Sequence, residues 1–145
     1  MHRFLAGSLI ILLAGSVPRA KCSGRCLCVG ERDPVKAVAA SSAVFEAVAL
    51  AYTFDAPMTR DSLGNDWYHV PLVVGRVWKG VLSDTVTIQT PSPAGACGLS
   101  FTPGGHFLVF AVEGPRGSLA ATVCSLSQEW GTADSTVAQL GAPIY

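Results

Sequence analysis

Five cysteines (Cys22, Cys26, Cys28, Cys97 and Cys124) are the residues of this 145-residue chain best placed to do chemistry. A cysteine crosslinks, binds a soft metal or attacks as a thiolate, and the compartment it enters decides among these. Residues Phe4 to Ala14 form an apolar run behind a short basic start, His2 and Arg3. That run is too short for a stable transmembrane helix, and small residues follow it. It reads as a secretory signal over residues 1–20, cut after Ser16 or Ala20. Ala14-Gly15-Ser16 supplies the small residues that a signal peptidase reads, whereas cleavage after Ala20 would put Pro18 at one of those positions. Lys21, directly before Cys22, speaks against a lipid-anchored start there. Export takes the chain to the medium, a cell surface or a periplasm, where thiols oxidise and pair. A zinc site built from Cys22, Cys26 and Cys28 is disfavoured, because a Cys-x3-Cys-x-Cys spacing fits no common structural zinc pattern and oxidation competes for the sulfurs.

Removal of the signal leaves one small domain, residues 21–145. A core of that size has a thin margin of stability, so covalent staples matter. Charged residues are 14% and the formal net charge is zero, which argues against a nucleic-acid partner. After Ala14 no apolar run is long enough for a membrane span, so no membrane association is expected once the signal is gone. His69 and His106 stand outside any His-Glu-x-x-His or Gly-x-Ser-x-Gly context. Asp55, Asp61, Asp66 and Asp84 sit near turns, where carboxylates cap and stay solvated. With no acid, base and nucleophile set to name, the chain is not read as an enzyme, and no cofactor is expected. Trp67, Tyr68 and Trp78 read as core or edge packing in preference to an aromatic ligand face.

The elements that must position the cysteines are short. Ala43 to Phe54 is rich in Val, Phe and Tyr and suits a strand, while Lys36 to Ala51 holds enough alanine for a helix; pattern alone leaves both open. Asp55 to Asp66, with Pro57, Gly64 and Asn65, reads as a long loop. Trp67 to Trp78 reads as a strand, with Pro71 favouring an edge or a bulge. Asp84 to Thr90 alternates as a half-buried strand. Pro91 to Gly98 is a loop that carries Cys97. His106 to Val112 is a near-continuous apolar run and suits a buried central strand, and Ser118 to Cys124 is the last strand. Ala133 to Leu140 suits a short helix stopped by Gly141 and Pro143. Five short strands at this spacing point to a small barrel or sandwich.

Several of these segments share a further likeness. Cys26-Leu27-Cys28, Val77-Trp78-Lys79-Gly80, Ala96-Cys97-Gly98-Leu99-Ser100-Phe101, Gly104-Gly105, Phe107 to Ala111 and Thr122-Val123-Cys124-Ser125, in this order and spacing, resemble the N-terminal domain of tissue inhibitors of metalloproteinases, within the wider netrin-like module family. The likeness runs from Cys26 to about Leu140. It implies an OB-fold, a five-stranded Greek-key barrel with a flanking helix. Spacing by itself does not rank the ways in which four of five cysteines can pair; the resemblance implies Cys26 with Cys97 and Cys28 with Cys124, and leaves Cys22 unpaired. The family's third bridge and its C-terminal domain have no counterpart here.

In that family the chain begins at the first cysteine of the motif, whose α-amine and carbonyl oxygen chelate the target protease's zinc while the next residue enters the specificity pocket. Carried over, the inhibitory ridge is Cys26, Leu27, Cys28 and Val29, and the partner is a zinc metalloprotease. No metal belongs to the protein itself. Arg25 stands before Cys26, so this use of the ridge needs trimming by a trypsin-like protease after the signal is removed. Without trimming, the same module would bind another extracellular protein or a glycan and inhibit nothing.

Overall fold

The computed structural model describes residues 26–80, 83–93 and 97–145. The signal segment, Cys22, Arg25 and Ala96 lie outside the described residues.

The ambiguous alanine-rich stretch divides in two. Helix α1 spans Pro34–Ala40. Asp33 starts it: its carboxylate accepts from the amides of Val35 and Lys36, and Pro34 occupies the first turn, where a missing N–H costs nothing. Ser41 stops it by turning its hydroxyl back onto the carbonyl of Ala37. Strand β1 then runs Ala43–Ala49 and is buried on nearly all sides.

The expected loop before the next long strand carries structure of its own. Thr53–Asp55 makes a 3-10 turn, and β2, Met58–Arg60, pairs back as a hairpin with the start of β3, Asp66–Lys79. Strand β3 is long enough to serve three neighbours, with β2 and then β1 along one side and β4, Thr85–Pro91, along the other. Its first half pairs with β4 and its second half with β1. Pro71 lies at the seam. The carbonyl of Pro57 still takes the amide of His69, whereas the carbonyl of Pro71 already accepts from Leu50 at the end of β1. A residue with no N–H therefore sits where one neighbour gives way to the next. The register against β1 shifts twice near Gly75-Arg76 and Trp78, and these bulges coil β3 around the barrel.

Strand β5, His106–Glu113, is the expected central strand, with five consecutive buried residues. The final strand is shorter than its apolar run suggests. Strand β6 covers only Leu119–Ala120, after which Thr122 and Ser125 fold the chain into a turn through their hydroxyls. Hydrogen bonding to local backbone competes there with the ladder. Strand β7, Gln128–Glu129, pairs with β5, and helix α2, Asp134–Leu140, follows a 3-10 turn at Trp130–Thr132.

The ring closes in the order β1-β3-β4-β6-β5 and back to β1. Its one parallel joint is β4 with β6, and the other pairs are antiparallel. This is the five-stranded Greek-key barrel of an OB-fold. Phe45, Leu72, Ile88, Phe101 and Val109 fill its interior. A second apolar layer, with Val44, Trp78, Leu108 and Phe110, lies beneath α1 and α2. The barrel thus offers a rigid, edgeless support on which the N-terminal segment is mounted.

Candidate functional site: a doubly stapled ridge

The segment Cys26–Val29 has no regular secondary structure, so its position is set covalently. Cys26 is bonded to Cys97 and Cys28 to Cys124, with Cα separations of 5.3 and 5.1 Å. Each receiving cysteine is itself fixed. The loop around Cys97 is tied down by two buried threonines: Thr90 Oγ1 accepts from the amide of Leu99 at 2.9 Å, and Thr53 Oγ1 from the amide of Phe101 at 2.7 Å. Cys97 adopts a left-handed backbone (φ 65°), uncommon for a residue with a side chain. Gly98 follows because a Cβ there would lie 1.8 Å from the carbonyl oxygen of Pro91. Thr122 bridges to Gly98, and the amide of Val123 donates to the carbonyl of Cys97, so the Cys124 turn and the Cys97 loop are held to each other.

The two bridges lie side by side, with the Cys26 and Cys124 sulfurs 3.3 Å apart. Among the described residues this is also the one cluster of potential metal ligands, formed by Cys26, Cys28 and Cys124. Sulfurs bonded to sulfur are not thiolates, and the thiolate is the metal ligand. The zinc reading weighed for Cys22, Cys26 and Cys28 thus loses two of its three ligands to crosslinks.

Staples at alternate residues turn the residues between and after them outward. Leu27 is 88% exposed and Val29 93% exposed, while Cys26 and Cys28 are half-buried. Glu31 then accepts from the amides of Arg32 and Asp33, and the chain enters α1.

A second projection lies near the ridge. Asp66 accepts from the amide of Ser92, and Trp67 sits opposite Pro91, so the β2–β3 hairpin borders the loop that carries Cys97. Asp61 organises the hairpin tip. Its carboxylate accepts from the amides of Leu63 and Asn65, from the Asn65 side chain and from the indole N–H of Trp67. Hydrogen bonds from the Asn65 side chain and amide, with that of Trp67, pull its pKa down to about 2. The tip holds Leu63 85% exposed. Behind it Phe54 meets Tyr68 edge-on at 6.1 Å. The hairpin, with its capping aspartate, lies inside the stretch that reads as a loop; Asp61-Ser62-Leu63-Gly64-Asn65 is the turn signal that marks it.

The remaining candidates lie apart from the ridge. His69 meets Thr59 at 3.1 Å. His106 lies 2.6 Å from Glu46, which also takes the guanidinium of Arg76. Burial pushes the Glu46 carboxyl up, but the hydrogen bonds and charges of Arg76 and His106 outweigh it and hold it below its ordinary value. Trp78 is buried under the helices with its indole N–H on the carbonyl of Gly141. Trp67, Tyr68 and Trp78 therefore do not form one aromatic face. A half-buried aromatic group is formed instead by Trp130, which stacks on His106 at 4.7 Å and lies 4.6 Å from the Arg76 guanidinium. Nothing in the spacing of these residues announces that grouping, because it is assembled by the bulge in β3 and the turn after β7.

No family model and no curated protein matches the chain. The disulfides suit an oxidising, extracellular-type compartment.

Proposed function

We propose that this protein is an exported inhibitor of zinc metalloendopeptidases that acts through the ridge Cys26–Val29. The observation that supports this reading is the exposure of Leu27 and Val29 on a segment crosslinked to the barrel at both flanking positions. Apolar side chains held out into water by a rigid frame lose little ordering entropy when a partner covers them.

The resemblance to metalloproteinase inhibitors supplies the chemistry. The α-amine and carbonyl oxygen of Cys26 chelate the protease's zinc in place of its reactive water, and Leu27 enters the adjacent apolar pocket. An α-amine has an ordinary pKa near 8, so a useful fraction is neutral and able to ligate at physiological pH. An amide nitrogen has its lone pair delocalised into the carbonyl and is a very poor zinc ligand. The active form therefore begins at Cys26, after cleavage behind Arg25, in the medium or at a cell surface.

The test is inhibition of a panel of zinc metalloendopeptidases by protein refolded with Cys26 as its first residue. Inhibition is expected, and Leu27→Ala should weaken it roughly 10–100-fold, the equivalent of about 1.5–3 kcal/mol for one buried leucine side chain. No inhibition of any member by correctly crosslinked protein would reject the proposal in favour of a binding module that inhibits nothing.

A further inference from the structure

The inhibitory ridge leaves unused a groove of about 350 Å³, lined by Thr102, Gly105, His106, Phe107, Glu129, Trp130 and Gly131. We propose that this groove binds an uncharged pyranose ring of a glycan, at a site separate from the ridge.

Three observations carry the assignment. The volume falls at the lower end of the roughly 300–1,000 Å³ found for small-molecule sites. The groove combines the half-buried ring of Trp130 with the Thr102 hydroxyl, the His106 ring and the Glu129 carboxylate. A sugar ring needs that mixture, since its C–H faces are apolar and its rim carries hydroxyls that both donate and accept. The aromatic wall is immobilised before any ligand arrives, because Trp130 lies against both His106 and Arg76, and both are anchored on the carboxylate of Glu46. A preorganised wall limits the ordering cost of binding.

Charge selects among glycans. The guanidinium of Arg76 is spent on Glu46, whereas Glu129 is exposed and in no ion pair among the described residues. The groove therefore presents a carboxylate and no free cation, which disfavours sulfated, phosphorylated or carboxylated sugars.

The experiment uses the crosslinked protein and follows the three indole N–H resonances by NMR. Those of Trp67 and Trp78 are bonded to Asp61 and Gly141 and serve as internal references. The probes are maltotriose, cellotriose and tri-N-acetylchitotriose, with a sulfated heparin-type hexasaccharide as the charged arm. The Trp130 resonance should shift saturably with at least one neutral probe, with a Kd in the millimolar range or tighter. Glu129→Gln and Thr102→Val, both at exposed positions, should weaken binding about 3–10-fold with the fold intact. The proposal is overturned if no neutral probe moves Trp130 at about 10 mM. It is equally overturned if the sulfated probe binds the groove more tightly than the neutral ones, or if neither substitution weakens binding.

Discussion

Replacing both Cys28 and Cys124 with alanine removes one staple and leaves the other, so its cost follows from loop-closure entropy. The two bridges span 71 and 96 residues of sequence. Taken singly they would restrict the unfolded chain by about 4.4 and about 4.7 kcal/mol. They are interlaced, however. With Cys26–Cys97 in place, the shortest covalent route from Cys28 to Cys124 runs back to Cys26, across the bridge and forward from Cys97. That loop holds about 29 residues, and closing it is worth about 3.6 kcal/mol. The route is the same length when the roles are reversed. Cys26→Ala/Cys97→Ala and Cys28→Ala/Cys124→Ala should therefore lose nearly equal stability, about 3.6 kcal/mol each. Removing all four cysteines should cost about 8 kcal/mol, as much as the whole net stability of many domains. The assay is guanidinium unfolding under non-reducing conditions, read by far-UV circular dichroism. A double variant that loses less than about 1 kcal/mol would refute the reasoning, since its bridge would then not constrain the unfolded chain.

Three further outcomes are expected. Gly98→Ala forces a Cβ to within 1.8 Å of the Pro91 carbonyl oxygen and should cost about 3 kcal/mol or more in chemical denaturation; a loss under about 1 kcal/mol would show that the loop yields freely. Asp61 should titrate at about 2 when its carboxyl carbon is followed by NMR. Its folded value lies below the unfolded one near 3.9, so its contribution is complete above about pH 4 and fades as the pH falls toward 2, and a midpoint near 4 would contradict the hairpin network. Glu46→Gln removes the negative anchor of Arg76 and His106 and should cost about 1–2 kcal/mol at neutral pH. Because the Glu46 carboxyl is held below its usual 4.5, that loss should shrink as wild type and variant are compared at pH values falling through the folded pKa; an undiminished difference at low pH would rule out ionisation as its source.

Much of the barrel was legible in residue pattern. The apolar run from His106 and the alternation from Thr85 mark strands whose burial decides their form, so periodicity reports them directly. The division at Ser41-Ser42 was not legible, because alanine serves both helix and strand and the decision fell to the Asp33 cap and the tertiary contacts of β1. The end of β6 was hidden for a related reason: Thr122 and Ser125 look like strand residues until their hydroxyls take local backbone partners. At the ridge, the exposure of Leu27 and Val29 depends on anchors 71 and 96 residues away, and no local signal carries that distance. The Glu46–Arg76–His106–Trp130 group draws on four separate elements, placed together only once the barrel closes.

Inhibition through the stapled ridge turns on a free amine at its tip. The direct measurement is the inhibition constant of one preparation beginning at Cys26, determined against a susceptible zinc metalloendopeptidase before and after acetylation of that amine. Acetylation leaves the disulfides and Leu27 in place and converts the amine to an amide, whose lone pair is delocalised and does not ligate zinc, so a loss of at least about 100-fold is expected, equivalent to about 2.7 kcal/mol. Equal inhibition before and after acetylation would contradict chelation by Cys26.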